Sequence, residues 1–346
     1  MNENTRVRRT KKRKLRKRVF FLLIPMMVVF VGVCYAGYLY AKAGSVLDAS
    51  YMNHGRDKSD LRDEVVDPGK DNISILIVGV DASNVRNNKN NSRSDTLMLA
   101  TLNKEEESVK MVSIPRDSYV YIPKVGYKTK INHAHAYGGV PATIETVEKL
   151  MDIPVDYYVK LNFNAFIEVV NAVDGIQYNV PYEIYEQNSK DKARAIHLMP
   201  GKQKLNGEEA LALARTRKYD SDIERGKRQQ EIIKTVIKKA ISLDSVLKFD
   251  NIIEAVGSNM TTNMTFDEMK SLISYGTGKG SLAFKTYTLE GHDYQPEGTY
   301  YWQLDQVALN KTKKMLQQHL ELNTTATADG STGEASLDID DNNNTY

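Results

Sequence analysis

Arg215, Arg217, Arg225, Arg228 and Gln229 lie within one short stretch of the chain, 205–230. Planar heads with several donors each suit the oxygens of a phosphate or diphosphate. Far upstream stand two aspartates, Asp81 and Asp95, and a further arginine, Arg116. Two carboxylates beside several guanidinium groups fit a magnesium-bound phosphate ester, because Mg²⁺ takes one or two protein carboxylates and completes its shell with water and phosphate oxygens. Arginines would then neutralise the other oxygens and the charge that develops on a leaving phosphate. Glycoside hydrolysis by paired carboxylates is the rival chemistry, but it leaves the arginines without a task. The sequence holds no Walker loop, no GxSxG elbow and no HExxH helix.

The elements that must position these groups are legible. Asn206 can cap a helix whose first turn carries Glu208 and Glu209 and whose body is Ala210, Leu211, Leu213 and Ala214. On a continuing helix Arg215 and Arg217 would point about 200° apart, so the helix is expected to end near Arg215. In the next helix Ile232, Ile233, Val236, Ile237 and Ala240 form an apolar stripe. Stepping back by three and four places Arg225, Arg228 and Gln229 on the same face. Buried arginines need an anionic or polar partner. Either an anion pocket or salt bridges to Asp220, Asp222 and Glu224 satisfies that need.

Residues 73–80 are a nearly continuous apolar run that fits a central strand and ends on Asp81. Asp95 opens a second strand, and a third, SVKMVSIP, leads to Arg116 and Asp117. If the three run up, down and up as neighbours, Asp81, Asp95 and Arg116 share one edge of the sheet, where α/β sheets place ligands. Helices are expected over 141–151 and 163–173, strands over 155–161, 176–180 and 285–289, and a loop over 181–204. His133 and His135 read as polar loop residues. The alternation gives an α/β class, an α/β/α sandwich around a central mixed sheet.

The net charge of +3 hides an asymmetry: residues 1–18 hold ten Lys/Arg and one Glu, leaving the remainder at −6. Residues 19–41 contain no charged side chain in 23 positions, enough for a membrane helix of roughly 34 Å. The expected order is a cytoplasmic basic tail (1–18), a transmembrane helix (19–41), an extracytoplasmic stalk (42–70), a folded domain for the phosphate chemistry (71–322) and a disordered tail (323–346). The positive-inside rule puts the amino terminus in the cytoplasm and the domain outside, so the basic run is no nucleic-acid patch. Cys34, the sole cysteine, falls within the span, so the domain has no disulfides and depends on its core.

NSRSDT (91–96), SIPRD (113–117), KINHAHAYGG (130–139) and LNGEEALALARTR with DIERGKRQQ (205–230), after one membrane span, resemble the LytR–CpsA–Psr family. The resemblance implies a membrane-anchored enzyme of a Gram-positive bacterium. Such an enzyme moves an anionic glycopolymer, wall teichoic acid or capsular polysaccharide, from an undecaprenyl diphosphate carrier onto peptidoglycan. It implies an α/β/α fold with a hydrophobic prenyl pocket. Asp81 and Asp95 would bind Mg²⁺, or Mn²⁺ in its place, and with Arg116 carry catalysis. Arg93, Arg116, Lys130, Arg215, Arg217, Arg225, Arg228 and Gln229 would hold the diphosphate. A polyprenyl-diphosphate hydrolase and a non-catalytic regulator of the envelope are the alternatives.

Overall fold

The computed structural model describes residues 50–81, 92–216, 222–241, 259–275 and 282–322. The expected tail, membrane helix and carboxyl-terminal segment, and Arg217, lie outside these. Among the described residues no helix is long and apolar enough to cross a membrane.

Strands β1 (Ile73–Val80), β2 (Ser94–Asn103) and β3 (Ser108–Ser113) form the centre of the molecule. The hairpin β4 (Tyr119–Ile122) and β5 (Tyr127–Lys130) leads to helix α1 (His133–Met151). Then come β6 (Tyr157–Leu161), α2 (Phe163–Ala172), β7 (Ile176–Val180), β8 (Ile184–Glu186), β9 (Ile196–Leu198) and β10 (Gly201–Leu205). Helices α3 (Gly207–Arg215) and α4 (Asp222–Ile241) precede β11 (Met260–Thr262), α5 (Phe266–Ser271) and β12 (Ala283–Thr288). The hairpin β13 (Gly291–Tyr294) and β14 (Tyr301–Leu304) and helix α6 (Gln306–His319) follow.

The main sheet has the order β11-β6-β1-β2-β3-β12. β1 and β2 are antiparallel, as are β2 and β3, while β6 runs parallel to β1 and β12 parallel to β3. The up–down–up order therefore holds, and the sheet is mixed. Alternating residues of the central strands feed both faces. Leu76, Val78, Leu97 and Leu99 pack with Ile144, Val147 and Leu316, which lie on α1 and α6. Ile73, Ala100 and Val109 pack with Met264, Met269 and Tyr275 on the other face, and α4 crosses β3 and β12 there. Both faces buried explains why β1 reads as a nearly continuous apolar run.

Three expectations change. Residues 181–204 carry the hairpin β8–β9 and part of β10, whose strands are too short to show a period. His133 and His135 start a helix, interrupted by non-helical Gly138 and Gly139, and it was this glycine pair that suggested a loop. Residues 51–70 are irregular but docked: Arg62 pairs with buried Asp156 at 2.8 Å and Met52 N–H donates to Thr262. Helix α6 and the hairpins β4–β5 and β13–β14 were not anticipated.

Candidate active site

β1 ends where β2 begins, and their register slips there. Gly79 pairs with Thr96 and Val80 with Ser94, so Asp95 has no partner of its own. This is a β-bulge, a device that re-aims a side chain at a sheet edge. Asp81 continues from β1 beside it. Arg116 follows β3 at the same edge and donates from Nη1 to Asp95 Oδ1 at 2.9 Å and from Nε to Asp117 Oδ2 at 3.3 Å. Lys130, at the end of β5, pairs with Asp117 Oδ1 at 2.8 Å.

Helix α3 closes over this edge. Asn206 caps it: its side chain accepts from Glu209 N–H and its own N–H donates to the Glu209 carboxylate. The helix stops at Arg215, with Thr216 in extended geometry, as the spacing of the arginines required. Gly207 admits the crossing with α2, because a Cβ there would meet the Ile167 carbonyl oxygen at 2.3 Å. Gly226 likewise brings α4 down onto Ser113 of β3.

One cavity of about 510 Å³ collects most of the expected residues. Its polar lining includes Asp81, Asp95, Arg116, Arg215, Arg225 and Gln229. Its apolar lining includes Ile77, Leu161, Phe163, Phe166, Leu211 and Ile233. Arg225 is only 6% exposed. The Arg215 guanidinium stacks over Phe163 at 4.7 Å, lies 3.8 Å from Asp191, and leaves a buried Nη1 without a hydrogen-bond partner. A buried guanidinium nitrogen that has lost water calls for an oxygen acceptor. Gln229 joins three elements, accepting from Thr96 Oγ1 at 3.1 Å and donating to the Ala214 carbonyl at 3.1 Å.

Other expected residues stand elsewhere. Arg228 is equally buried, but it donates to the Leu213 and Thr216 carbonyls at 2.8 and 2.7 Å. It thereby satisfies the carboxyl-terminal end of α3 and does not line the cavity. Lys130 reaches the cavity only through Asp117 and Arg116. Arg93 is exposed and outside the lining. Glu224 is exposed and paired with Lys227 at 2.7 Å, away from the cavity. His135 is buried with Nδ1 2.6 Å from the Ser92 carbonyl, and burial lowers its pKa. It braces the residues that lead into Asp95. Sequence reasoning missed Asn162, Glu186 and Gln187 in the wall. Only Asn162 carried a signal, as the cap of α2, accepting from Ala165 N–H at 2.9 Å.

The donor set suits Mg²⁺. Asp81 and Asp95 line the cavity at one edge of the sheet, with Glu186 in its wall. An ion whose remaining positions go to water and phosphate oxygens needs only one or two protein carboxylates.

A mixed sheet between helical layers, with one cavity lined by arginines, carboxylates and apolar side chains, is the frame against which the relatives are compared. The chain belongs to the LytR_cpsA_psr family, whose model matches residues 37–318. TagT of Bacillus subtilis (strain 168), a polyisoprenyl-teichoic acid–peptidoglycan teichoic acid transferase, is 41% identical over 318 residues, covering 90% of this chain and 98% of its own. A structure of TagT bound to LIIa-WTA superposes with a TM-score of 0.68 at 41% identity, covering 79% of this chain and 99% of that one. Another, of the same protein with bound octaprenyl pyrophosphate lipid, gives 0.63 at 37% identity, covering 79% and 99%.

Proposed function

We propose that this protein transfers an anionic glycopolymer, wall teichoic acid or capsular polysaccharide, from an undecaprenyl diphosphate carrier onto peptidoglycan. The observation that carries this reading is the mixed lining of one cavity: carboxylates and arginines together with aromatic and aliphatic side chains. A prenyl diphosphate, with a charged head and an apolar chain, needs both kinds of surface. The family relatives named as teichoic acid transferases, and the one with a bound prenyl pyrophosphate, support it.

A muramic acid 6-hydroxyl attacks the glycopolymer-side phosphorus. A new P–O bond forms as the bond to the bridging oxygen breaks, undecaprenyl phosphate leaves with the electron pair, and the hydroxyl proton passes to a carboxylate of the site. Arg116, Arg215 and Arg225 bind the diphosphate oxygens and offset the charge that develops on the leaving phosphate. The apolar chamber orients the carrier and excludes water from its side of the reaction. Asp81 and Asp95 would hold Mg²⁺, or Mn²⁺, which when bound supplies positive charge against the phosphate oxygens. The chain works outside the cell membrane of a Gram-positive bacterium, anchored by residues 19–41.

The test uses the full chain in detergent with Mg²⁺, a lipid-diphosphate-linked glycan and uncrosslinked peptidoglycan strands. Covalent glycan–peptidoglycan product, abolished by EDTA and by Asp95→Ala, is the expected result. Free glycan phosphate without coupling would replace this reading with a hydrolase.

A further inference from the structure

The face outside Arg116 carries an unusual density of tyrosine. In β4 the inward residues are Val120 and Ile122, both buried, so Tyr119 and Tyr121 turn outward. Their cross-strand partners in β5 are Lys130 and Lys128. β14 extends this hairpin sideways, with Ser118 bridged to Trp302 and the Trp302 N–H donating to the Asp117 carbonyl at 2.9 Å. β13 then pairs Tyr294 with Tyr301. The Tyr119 ring lies 4.7 Å from that of Tyr301 and 5.7 Å from that of Tyr294, and Lys130 stands 5.8 Å from the Tyr300 and Tyr301 rings. Tyr121, Tyr294 and Tyr300 remain 42%, 39% and 37% exposed.

This aromatic ribbon leads directly to the reaction centre. A small cleft of about 70 Å³ is walled by Arg116, Asp117, Asp293, Tyr300 and Trp302. Arg116 therefore borders both this cleft and the diphosphate cavity. Tyr300 donates to Asp293 at 3.0 Å, which leaves a rim of fixed rings and carboxylates. Rigid rings with polar tips suit a partial, wet contact with a polar ligand. Pyranose rings present C–H faces that stack on such rings, and hydroxyl and acetamido groups that bond to carboxylates.

Tyrosines also favour lipid interfaces. The chain's route argues against that occupant. It enters the domain at the β11 edge, where Tyr51 bridges Thr262. The ribbon's two hairpins follow β3 and β12 in the chain, the strands at the opposite side of the sheet. Four strand spacings separate β11 from β3, roughly 19 Å.

We infer that the ribbon formed by β4–β5 and β13–β14 is the docking surface for the acceptor glycan strand, and that it delivers a sugar hydroxyl past Trp302 to Arg116. This rests on the transferase reading above and adds the acceptor's path. Trp302 is the only tryptophan of the chain, so its emission reports the cleft.

Full-length protein in detergent is titrated with soluble uncrosslinked peptidoglycan strands and, separately, with anionic phospholipid vesicles and octaprenyl diphosphate. Glycan strands are expected to change Trp302 emission saturably, and the Tyr121→Ala, Tyr294→Ala double variant to weaken that binding about ten-fold. The same variant should keep octaprenyl diphosphate affinity and its thermal midpoint, which shows that it folds. Tyr121→Phe alone should retain glycan binding through its ring. Unchanged glycan affinity in the double variant, or vesicle binding that the variant loses while glycan gives no response, overturns the proposal. Failure of octaprenyl diphosphate to bind the wild-type protein would instead sink the transferase reading, whatever the glycan result.

Discussion

Arg116 donates to Asp95 at 2.9 Å across the edge of the sheet, joining the turn after β3 to the bulge that opens β2. The pair lines the cavity with neither side chain fully buried, at 22% and 37% side-chain exposure. An ion pair so exposed contributes little to stability. Its value is positional: the arginine is pre-set against the carboxylate until phosphate oxygens arrive. Arg116→Ala should therefore lower transfer by about 10²–10³-fold, the cost of losing one preorganised donor, with a thermal midpoint near that of wild type. Rates at saturating donor, read beside a melting curve, check it. Full activity in this variant would remove Arg116 from the mechanism.

Arg225 and Arg228, equally buried on α4, should behave oppositely. Arg225→Ala should weaken octaprenyl diphosphate binding, because the side chain lines the cavity. Arg228→Ala removes the donor that serves two α3 carbonyls. Leaving buried acceptors unsatisfied costs about 1–3 kcal/mol each, so the melting midpoint should fall by several degrees. Isothermal titration of the lipid and calorimetric melting of both variants separate the two roles.

The apolar lining of the cavity makes its own prediction. Ile233 is half-buried against it. Ile233→Glu would set a charge where the prenyl chain is proposed to lie, and ionised groups resist apolar surroundings. Octaprenyl diphosphate affinity should drop by about ten-fold or more, corresponding to at least roughly 1.4 kcal/mol, while inorganic pyrophosphate binding stays as it was. Equal losses for both ligands would place Ile233 at the headgroup and not along the tail.

What could be read in advance followed the strength of local signals. The cap at Asn206, the stripe through Ile232 and Val236, and the nearly continuous β1 run announced their elements, and strand order then brought Asp81, Asp95 and Arg116 together. Burial of Arg225 and Arg228 was equally legible, but their partners were not. A carbonyl at a helix end and a phosphate oxygen are both acceptors, and only the fold shows that Arg228 meets carbonyls. Glu186 and Gln187 enter the wall at the end of a three-residue strand, too short for any period. The tyrosine ribbon was hidden because its halves lie about 170 residues apart and are joined by contacts such as the Ser118–Trp302 bridge and the Tyr119–Tyr301 ring pair.

His319, at the end of α6, supplies a pH test away from the site. It is 1% exposed, with Nδ1 2.7 Å from Thr101 Oγ1 and Nε2 2.7 Å from Ser108 Oγ. Burial is the main cause that lowers its pKa from 6.5 to about 4, and Lys110 adds to it. A histidine held neutral in the folded state takes up its proton more readily when unfolded. Its contribution is therefore complete above about pH 6.5 and is lost as pH falls toward 4. The full loss amounts to about 3 kcal/mol at 1.36 kcal/mol per unit. Melting midpoints of the wild type should decline through that window more steeply than those of His319→Gln, which cannot titrate there. Parallel declines in the two proteins would assign the acid sensitivity to other groups, buried His135 first among them, since burial lowers its pKa in the same direction.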